Sequence, residues 1–208
     1  MNKRVSDVLA DYELKLQSEI PRIASFTVEE YEAQRDGMIL GIGPETGLFL
    51  NILIKAARPK TIVEVGTSYG YSTVWLAEAA AAVGAHLVTF ELSEAKIDHA
   101  RERIKAAGLA STVEFVAGDA LANLEAFTGT VDFALIDLWK ELYISSFDRI
   151  YPRLSEGALV AADNVCLPPM SAAWLKPYVG HVRAQAGIAS VTVPVGSGIE
   201  LSQYSRNE

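Results

Sequence analysis

A single cysteine, Cys166, stands among the 208 residues, so no internal disulfide can form. Three scattered histidines, His86, His99 and His181, do not make a zinc site, and any metal must be held by oxygen. Long hydrophobic runs are also missing. The longest apolar stretch, Val74 to Leu87, is interrupted by Glu78, Gly84 and His86, which excludes a membrane-spanning helix. The opening Met1-Asn2-Lys3-Arg4, followed by Ser6, Asp7 and Asp11, lacks the apolar core of a signal peptide, so a cytoplasmic protein without a membrane partner is expected. Basic clusters are as scarce. Lys3-Arg4 is the longest, and 18 Lys and Arg against 26 Asp and Glu leave a net charge of −8, which repels a phosphate backbone and argues against nucleic acid as a partner. Neither an internal repeat nor a Pro/Gly/Ser-rich linker divides the chain, and residues 1–208 are expected to form a single domain.

What is present is a globular balance, 50% hydrophobic and 21% charged, with an alternation of helical and extended patterns. Val5, Val8, Leu9, Tyr12 and Leu16 fall at helical spacing with Pro21 beyond them, which predicts an amphipathic helix outside the central fold. Residues 1–43 read as this N-terminal helical extension and residues 44–208 as the core. Pro44 can open a helix whose Leu48, Phe49, Ile52, Leu53 and Ala56 share a face, ending before Pro59. From residue 61 come short apolar or β-branched runs, the mark of strands buried on both faces: Thr61 to Val65, Leu87 to Phe90, Val113 to Val116, Phe133 to Ile136 and Ala158 to Ala161. Helical patterns separate them, so the strands must be largely parallel with helices on both faces, an α/β doubly wound Rossmann-like sheet. Val191, Val193 and Val195, the turn Gly196-Ser197-Gly198, then Ile199 and Leu201 break that rule and predict an antiparallel hairpin at the C-terminal end.

In such sheets ligands bind beyond the carboxyl ends of the strands. There the sequence places a series of acids: Glu64 near the end of the first strand, Glu91 after the second, Asp119 after the third, Asp137 after the fourth and Asp163 with Asn164 after the fifth. The first loop, Gly66-Thr67-Ser68-Tyr69-Gly70-Tyr71-Ser72, has glycines that let a ligand approach the backbone, but Ser68 stands where G-x-G-x-x-G has its middle glycine. No Lys-Ser/Thr pair completes a phosphate loop. A nucleoside cofactor without phosphates therefore fits better than a dinucleotide or ATP, and Glu91, 25 residues after Gly66, is placed to accept bonds from two ribose hydroxyls. With the hairpin, this points to S-adenosylmethionine.

The run Val63 to Ser72, Ile136-Asp137 with Lys140, Asp163-Asn164 and the closing Gly196-Ser197-Gly198-Ile199 resemble the cation-dependent O-methyltransferases, which include catechol and caffeoyl-CoA O-methyltransferases. The resemblance runs from about Met38 to Tyr204. It implies a seven-stranded methyltransferase sheet whose last strand is antiparallel. By matching motif it places cofactor contacts at Met38, Gly66, Ser68, Tyr71, Ser72, Glu91 and Asp119, with Ala120 beside the adenine; Glu64, Thr67 and Asp137 complete the candidate cofactor set. It places the ligands of Mg2+ or another divalent cation at Asp137, Asp163 and Asn164, and the general base at Lys140, in an Asp137-Leu138-Trp139-Lys140 run closer to the catechol enzymes than to the caffeoyl-CoA type. Glu45 and Gly47 match an acid-and-glycine stretch near the substrate region. Many relatives carry a long insertion after the Asp-Asn pair, whereas Val165 to Met170 lead here directly toward a helical segment, which predicts a more open acceptor site.

The chemistry of these residues agrees. Two carboxylates and an amide oxygen make a hard oxygen site suited to magnesium, and a divalent cation lowers the pKa of a bound hydroxyl and orients it. Two adjacent hydroxyls can chelate one ion, so a vicinal-diol phenolic small molecule is the expected methyl acceptor. Trp139, Trp174 and Tyr178 read as core or dimer contacts rather than substrate walls, Cys166 as a packing residue, and a homodimer as the expected assembly. The alternatives are a methyltransferase that works without metal, and an NAD-type oxidoreductase or nucleoside-binding regulatory module on the same sheet.

Overall fold

The computed structural model describes residues 1–166 and 169–206, without the side chains of 24, 28, 32 and 169–172. Three helices come first: α1 (Lys3–Ser25), α2 (Val28–Gln34) and α3 (Pro44–Ala57). Strands and helices then alternate through β1 (Thr61–Val65), α4 (Tyr71–Val83), β2 (His86–Glu91), α5 (Glu94–Ala107), β3 (Val113–Ala117), α6 (Ala120–Ala126), β4 (Val131–Ile136), α7 (Tyr143–Ile150) and β5 (Leu154–Ala162). Helix α8 (Pro169–Arg183) and the pair β6 (Ile188–Val193) and β7 (Ile199–Tyr204) complete the order.

The seven strands form one sheet in the order β3-β2-β1-β4-β5-β7-β6. The first five are parallel, and β7 runs antiparallel to both β5 and β6, as the alternation and the hairpin pattern predict. Because successive side chains of a strand point to opposite faces, each central strand feeds two cores. Ile62, Leu87, Phe133 and Leu135 pack under α3, α4 and α5, whereas Val63, Val65, Val88, Phe90, Ala134 and Ile136 pack on the side of α7 and α8. The strand order reverses between β1 and β4, so their carboxyl ends open a crevice, and the loops after β1, β2, β4 and β5 converge there.

Helix α1 differs from its expected form. It continues through Pro21, and it does not stand outside the fold: Val5, Val8, Leu9 and Tyr12 are buried in the same cluster as Leu76, Ile104 and the strand residues of that face. Proline removes one backbone donor, a loss that a helix of 23 residues tolerates when packing holds both sides of the break. Residues 1–43 thus share the core of the strands. The last turns of α1 reach the crevice.

Candidate active site

The loop after β1 owes its path to two glycines. Gly66 has φ +105°, and a Cβ there would lie 2.0 Å from the backbone oxygen of Asp137, so the loops after β1 and β4 touch only because position 66 lacks a side chain. Gly70, at φ +91°, meets the Ala100 Cβ of α5 in the same way. Between them Ser68 takes a left-handed φ of +48° and directs its N–H to Glu91 Oε2 at 2.8 Å. The N–H of Ser93 donates to the other oxygen, Oε1, at 3.0 Å. Both oxygens of Glu91 are therefore oriented by backbone donors, and their remaining lone pairs are available to a ligand.

A cavity of about 630 Å³ lies over this loop. Of the residues expected to bind, Met38, Gly66, Ser68, Glu91, Asp119, Ala120, Asp137, Lys140 and Asn164 line it together. Asp119 also caps α6, its Oδ1 accepting from the Ala122 N–H at 2.8 Å.

Glu64, Thr67, Tyr71 and Ser72 are not on the cavity wall; they support the loop from behind. Tyr71 is buried with its ring edge-on to Tyr12 at 5.6 Å, and its hydroxyl donates to Glu13. Glu64 is fully buried, and its Oε2 accepts from the hydroxyls of Thr73 at 2.7 Å and Thr89 at 2.6 Å while Oε1 has no partner among the described residues. Burial pushes its carboxyl up to about 7, against the hydroxyl bonds that favour the anion. The folded chain therefore holds a proton that the unfolded chain releases near pH 4.5, and stability falls as pH rises from there through about 7. Glu64→Gln, which mimics the protonated form, is expected to lie within ~1 kcal/mol of the parent at pH 5 and exceed it at pH 8 by up to ~3 kcal/mol. Denaturant titrations at the two pH values check this; an equal difference at both would contradict the assignment.

After β4 and β5 the cavity is lined by Asp137, Lys140 and Asn164, with the buried Asp163 next to Asn164. Lys140 lies on a 3₁₀ turn (Lys140–Leu142), and its Nζ donates to Tyr143 Oη at 2.7 Å and Asn164 Oδ1 at 2.6 Å, with Asp137 Oδ1 at 3.6 Å. Asn164 has φ +63°, a left-handed conformation that asparagine tolerates better than most residues. Asp163 is 1% exposed, and its Oδ1 has no partner among the described residues. Burial, and then the charge of Asp137, push the Asp163 carboxyl up to about 8; burial raises Asp137 too, opposed by Lys140. A buried and a partly buried carboxylate thus face one lysine. No group of three or more His, Cys, Asp or Glu converges among the described residues, and a hard cation here would draw its third oxygen from Asn164. The orphaned Asp163 oxygen and this all-oxygen donor set fit such an ion.

Several placements depart from the sequence-based expectations. Trp139 lines the cavity instead of the core, and the guanidinium of Arg35 stacks 3.9 Å from its ring centroid. Tyr178 is a core residue, and Trp174, 61% exposed, takes no part in the core, the other half of the same expectation being a dimer contact. Glu45 is exposed and Gly47 packs on the Trp75 ring, so neither reaches the cavity wall, while the adjacent Gly43 and Pro44 do. Cys166 packs as expected, its N–H donating to the Ser197 carbonyl and its side chain filling the space at Gly198. Of the short segment 165–170, residues 167 and 168 lie outside the described residues, but the cavity has a roof from elsewhere: Leu16, Glu19, Ile20 and Ile23 of α1 and Tyr31 of α2 line it. Sequence reasoning did not find these. One signal was available, since Glu19 continues the Tyr12-Leu16 seam at a position where an apolar residue is expected.

A family model described as O-methyltransferase matches residues 18–173. The chain is 31% identical over 178 residues to a probable O-methyltransferase of Mycobacterium tuberculosis, covering 80% of this chain and 73% of that protein. It is 33% identical over 127 residues to a catechol O-methyltransferase of the same organism, covering 61% and 57% respectively. Among solved structures, the O-methyltransferase from Bacillus cereus in complex with SAH superposes with a TM-score of 0.75 at 24% identity, covering 99% of this chain and 92% of that one.

Proposed function

The chain belongs to the O-methyltransferase family, and on that premise we propose that it transfers a methyl group from S-adenosylmethionine to one hydroxyl of a catechol-like or other vicinal-diol phenol, assisted by a divalent cation. The observation that carries this reading is the meeting, in one cavity, of Glu91 at the end of β2 with Asp137, Lys140 and Asn164 after β4 and β5. A donor nucleoside and an acceptor hydroxyl can lie in line between them. Family membership leaves no place for the NAD-type oxidoreductase or regulatory module.

The donor presents a methyl on a sulfonium sulphur, and in-line attack by the acceptor oxygen forms the O–C bond as the S–C bond breaks. Glu91 accepts from the ribose hydroxyls and so fixes the nucleoside. Ala120 stands beside the adenine, and Asp119 at the same strand end completes that wall. Asp137, Asp163 and Asn164 would hold the cation, which supplies a Lewis acid that acidifies a phenol and aligns two neighbouring hydroxyls. Lys140 in its neutral form takes the phenolic proton, and Tyr143 Oη and Asn164 Oδ1 are already placed to accept from the ammonium that results. Trp139 and Leu142 offer the acceptor ring an apolar wall, and the roof of α1 keeps bulk water from the sulfonium.

Glu91→Ala tests the donor half. It leaves two ribose hydroxyls without their acceptor, and affinity for S-adenosylhomocysteine is expected to fall by about 2–3 kcal/mol, as for charge-assisted bonds. Calorimetric titration reads this directly, and undiminished binding would displace the nucleoside from this wall. A cytoplasmic homodimer completes the reading. Leu48 and Ile52, one turn apart on α3 and about half exposed, offer apolar surface for a second copy, and light scattering on the purified protein tests the assembly.

A further inference from the structure

Glu19 is a carboxylate that the chemistry above leaves unused. It lies on the cavity wall yet is only 3% exposed, on the seam of α1 that otherwise buries Val5, Val8 and Tyr12. A buried carboxylate persists where donors satisfy it. Both oxygens of Glu19 converge on one donor, the backbone N–H of Ile39, at 3.3 Å and 3.1 Å. Resting on the donor reading given above, we propose that Glu19 is a positioning residue for the methyl donor, holding the segment Met38–Leu40 in the conformation that walls the nucleoside site.

The contacts of that segment carry the inference. Ile39 is tied at both of its backbone groups: its N–H to Glu19 and its carbonyl to Ser68, whose Oγ donates at 3.4 Å. Ser68 in turn orients Glu91 through its own N–H. A continuous line of bonds therefore runs from α1 through Ile39 and Ser68 to the carboxylate that accepts the ribose. Leu40, the next residue, has φ +46°, a left-handed conformation that side chains adopt only when their surroundings impose it. Just before the segment, the 3₁₀ turn Arg35–Gly37 is fastened across the crevice, with Tyr69 Oη donating to the Asp36 carbonyl at 3.1 Å and Arg35 over Trp139. The chain from 35 to 40 is thus a strap over the cavity, and Glu19 is its fixed point on α1. Without that carboxylate the Ile39 N–H is buried without a partner, and Leu40 loses a restraint that keeps it left-handed. The wall then relaxes away from the nucleoside, while the acceptor residues Asp137, Lys140 and Asn164, held by β4 and β5, stay in place.

The test compares binding of S-adenosylhomocysteine with thermal stability in the full chain. Glu19→Ala is expected to weaken binding about tenfold or more, the range for a lost bond to a charged acceptor. Glu19→Gln, whose amide oxygen still accepts from Ile39, should bind within about threefold of the parent. Val8→Ala loosens α1 through a buried contact remote from Ile39 and should lower the melting temperature with less than about a twofold change in affinity. If Glu19→Ala does not fold, Glu19→Leu, which retains bulk on the seam, carries the same expectation. A parent that binds while Glu19→Ala binds equally well overturns the inference alone. So does Glu19→Gln binding as weakly as Glu19→Ala, or Val8→Ala losing as much affinity at the same loss of melting temperature, which would make Glu19 a mere anchor of α1. A parent that does not bind S-adenosylhomocysteine overturns the donor reading, and the inference with it.

Discussion

Lys140→Ala is expected to lower the rate of methyl transfer by about 10²- to 10⁴-fold, the range for loss of a positioned general base, with little change in the affinity for S-adenosylhomocysteine. Nothing in the fold requires so large an effect from an ordinary surface lysine. Lys140 is held by Tyr143 Oη at 2.7 Å and Asn164 Oδ1 at 2.6 Å on the cavity wall after β4, whereas Glu91, the proposed ribose acceptor, ends β2. The deficit should shrink as pH rises, because a phenol, with a reference pKa of about 10, ionises without help in that direction. Lys140→Arg separates two roles. Arginine keeps the positive charge but does not give up a proton in this pH range, so it can support the anion electrostatically yet cannot remove the proton. Initial rates with a simple catechol from pH 6 to 9, alongside calorimetry, distinguish the cases. If Lys140→Arg matched the parent throughout, proton removal would have to be assigned elsewhere.

The acids at the strand ends were legible in the sequence because strand ends are where apolar runs stop, and that boundary is local. Whether each acid reaches the crevice was not, because it depends on the parity of the strand and on what lies above it. Glu91 is the last residue of β2 and turns into the crevice, where Ser68 and Ser93 orient it. Glu64 is the penultimate residue of β1, and its side chain goes under α4 to Thr73, so a carboxylate that reads as a site acid is a buried tie between β1, β2 and α4. The sheet itself was legible through its double-sided apolar strands and the antiparallel hairpin, though β5 begins at Leu154, four residues before its expected start at Ala158. The start was hidden because Ser155, Glu156 and Gly157 break the apolar run and the pairing with β4 is irregular between Val131 and Phe133. The roof was the least visible part. Pro21 reads as a stop in any window of sequence, and Arg35 meets Trp139 only after the chain has crossed the crevice, a contact between residues 104 apart.

Removal of divalent cations is expected to abolish the activity, and magnesium or manganese to restore it, for a reason contained in the charge count of the acceptor wall. Asp163 is buried and Asp137 partly so, one lysine faces them, and one oxygen of Asp163 has no partner among the described residues. Burial first, and then the neighbouring charge of Asp137, push the Asp163 carboxyl up to about 8. A divalent ion reverses that shift, so its binding should release a proton and should tighten as pH rises toward 8. Below that pH the cation competes with the proton on Asp163, and the acid side of the activity profile should move to lower pH as the magnesium concentration is raised. Binding to the folded state alone also stabilises it. At a hundredfold excess over its dissociation constant the ion contributes ~2.7 kcal/mol, which for a chain of this length raises the melting temperature by roughly 5–10 °C. Asp163→Asn should lose that increment and most of the activity, since it gives up the charge while keeping the shape. Asn164→Asp should retain the ion, because a third carboxylate strengthens a hard site. Full activity in excess chelator, with no magnesium-dependent shift in melting temperature, would leave Lys140 as the cation that Asp137 and Asn164 hold, and the enzyme as a methyltransferase that works without metal.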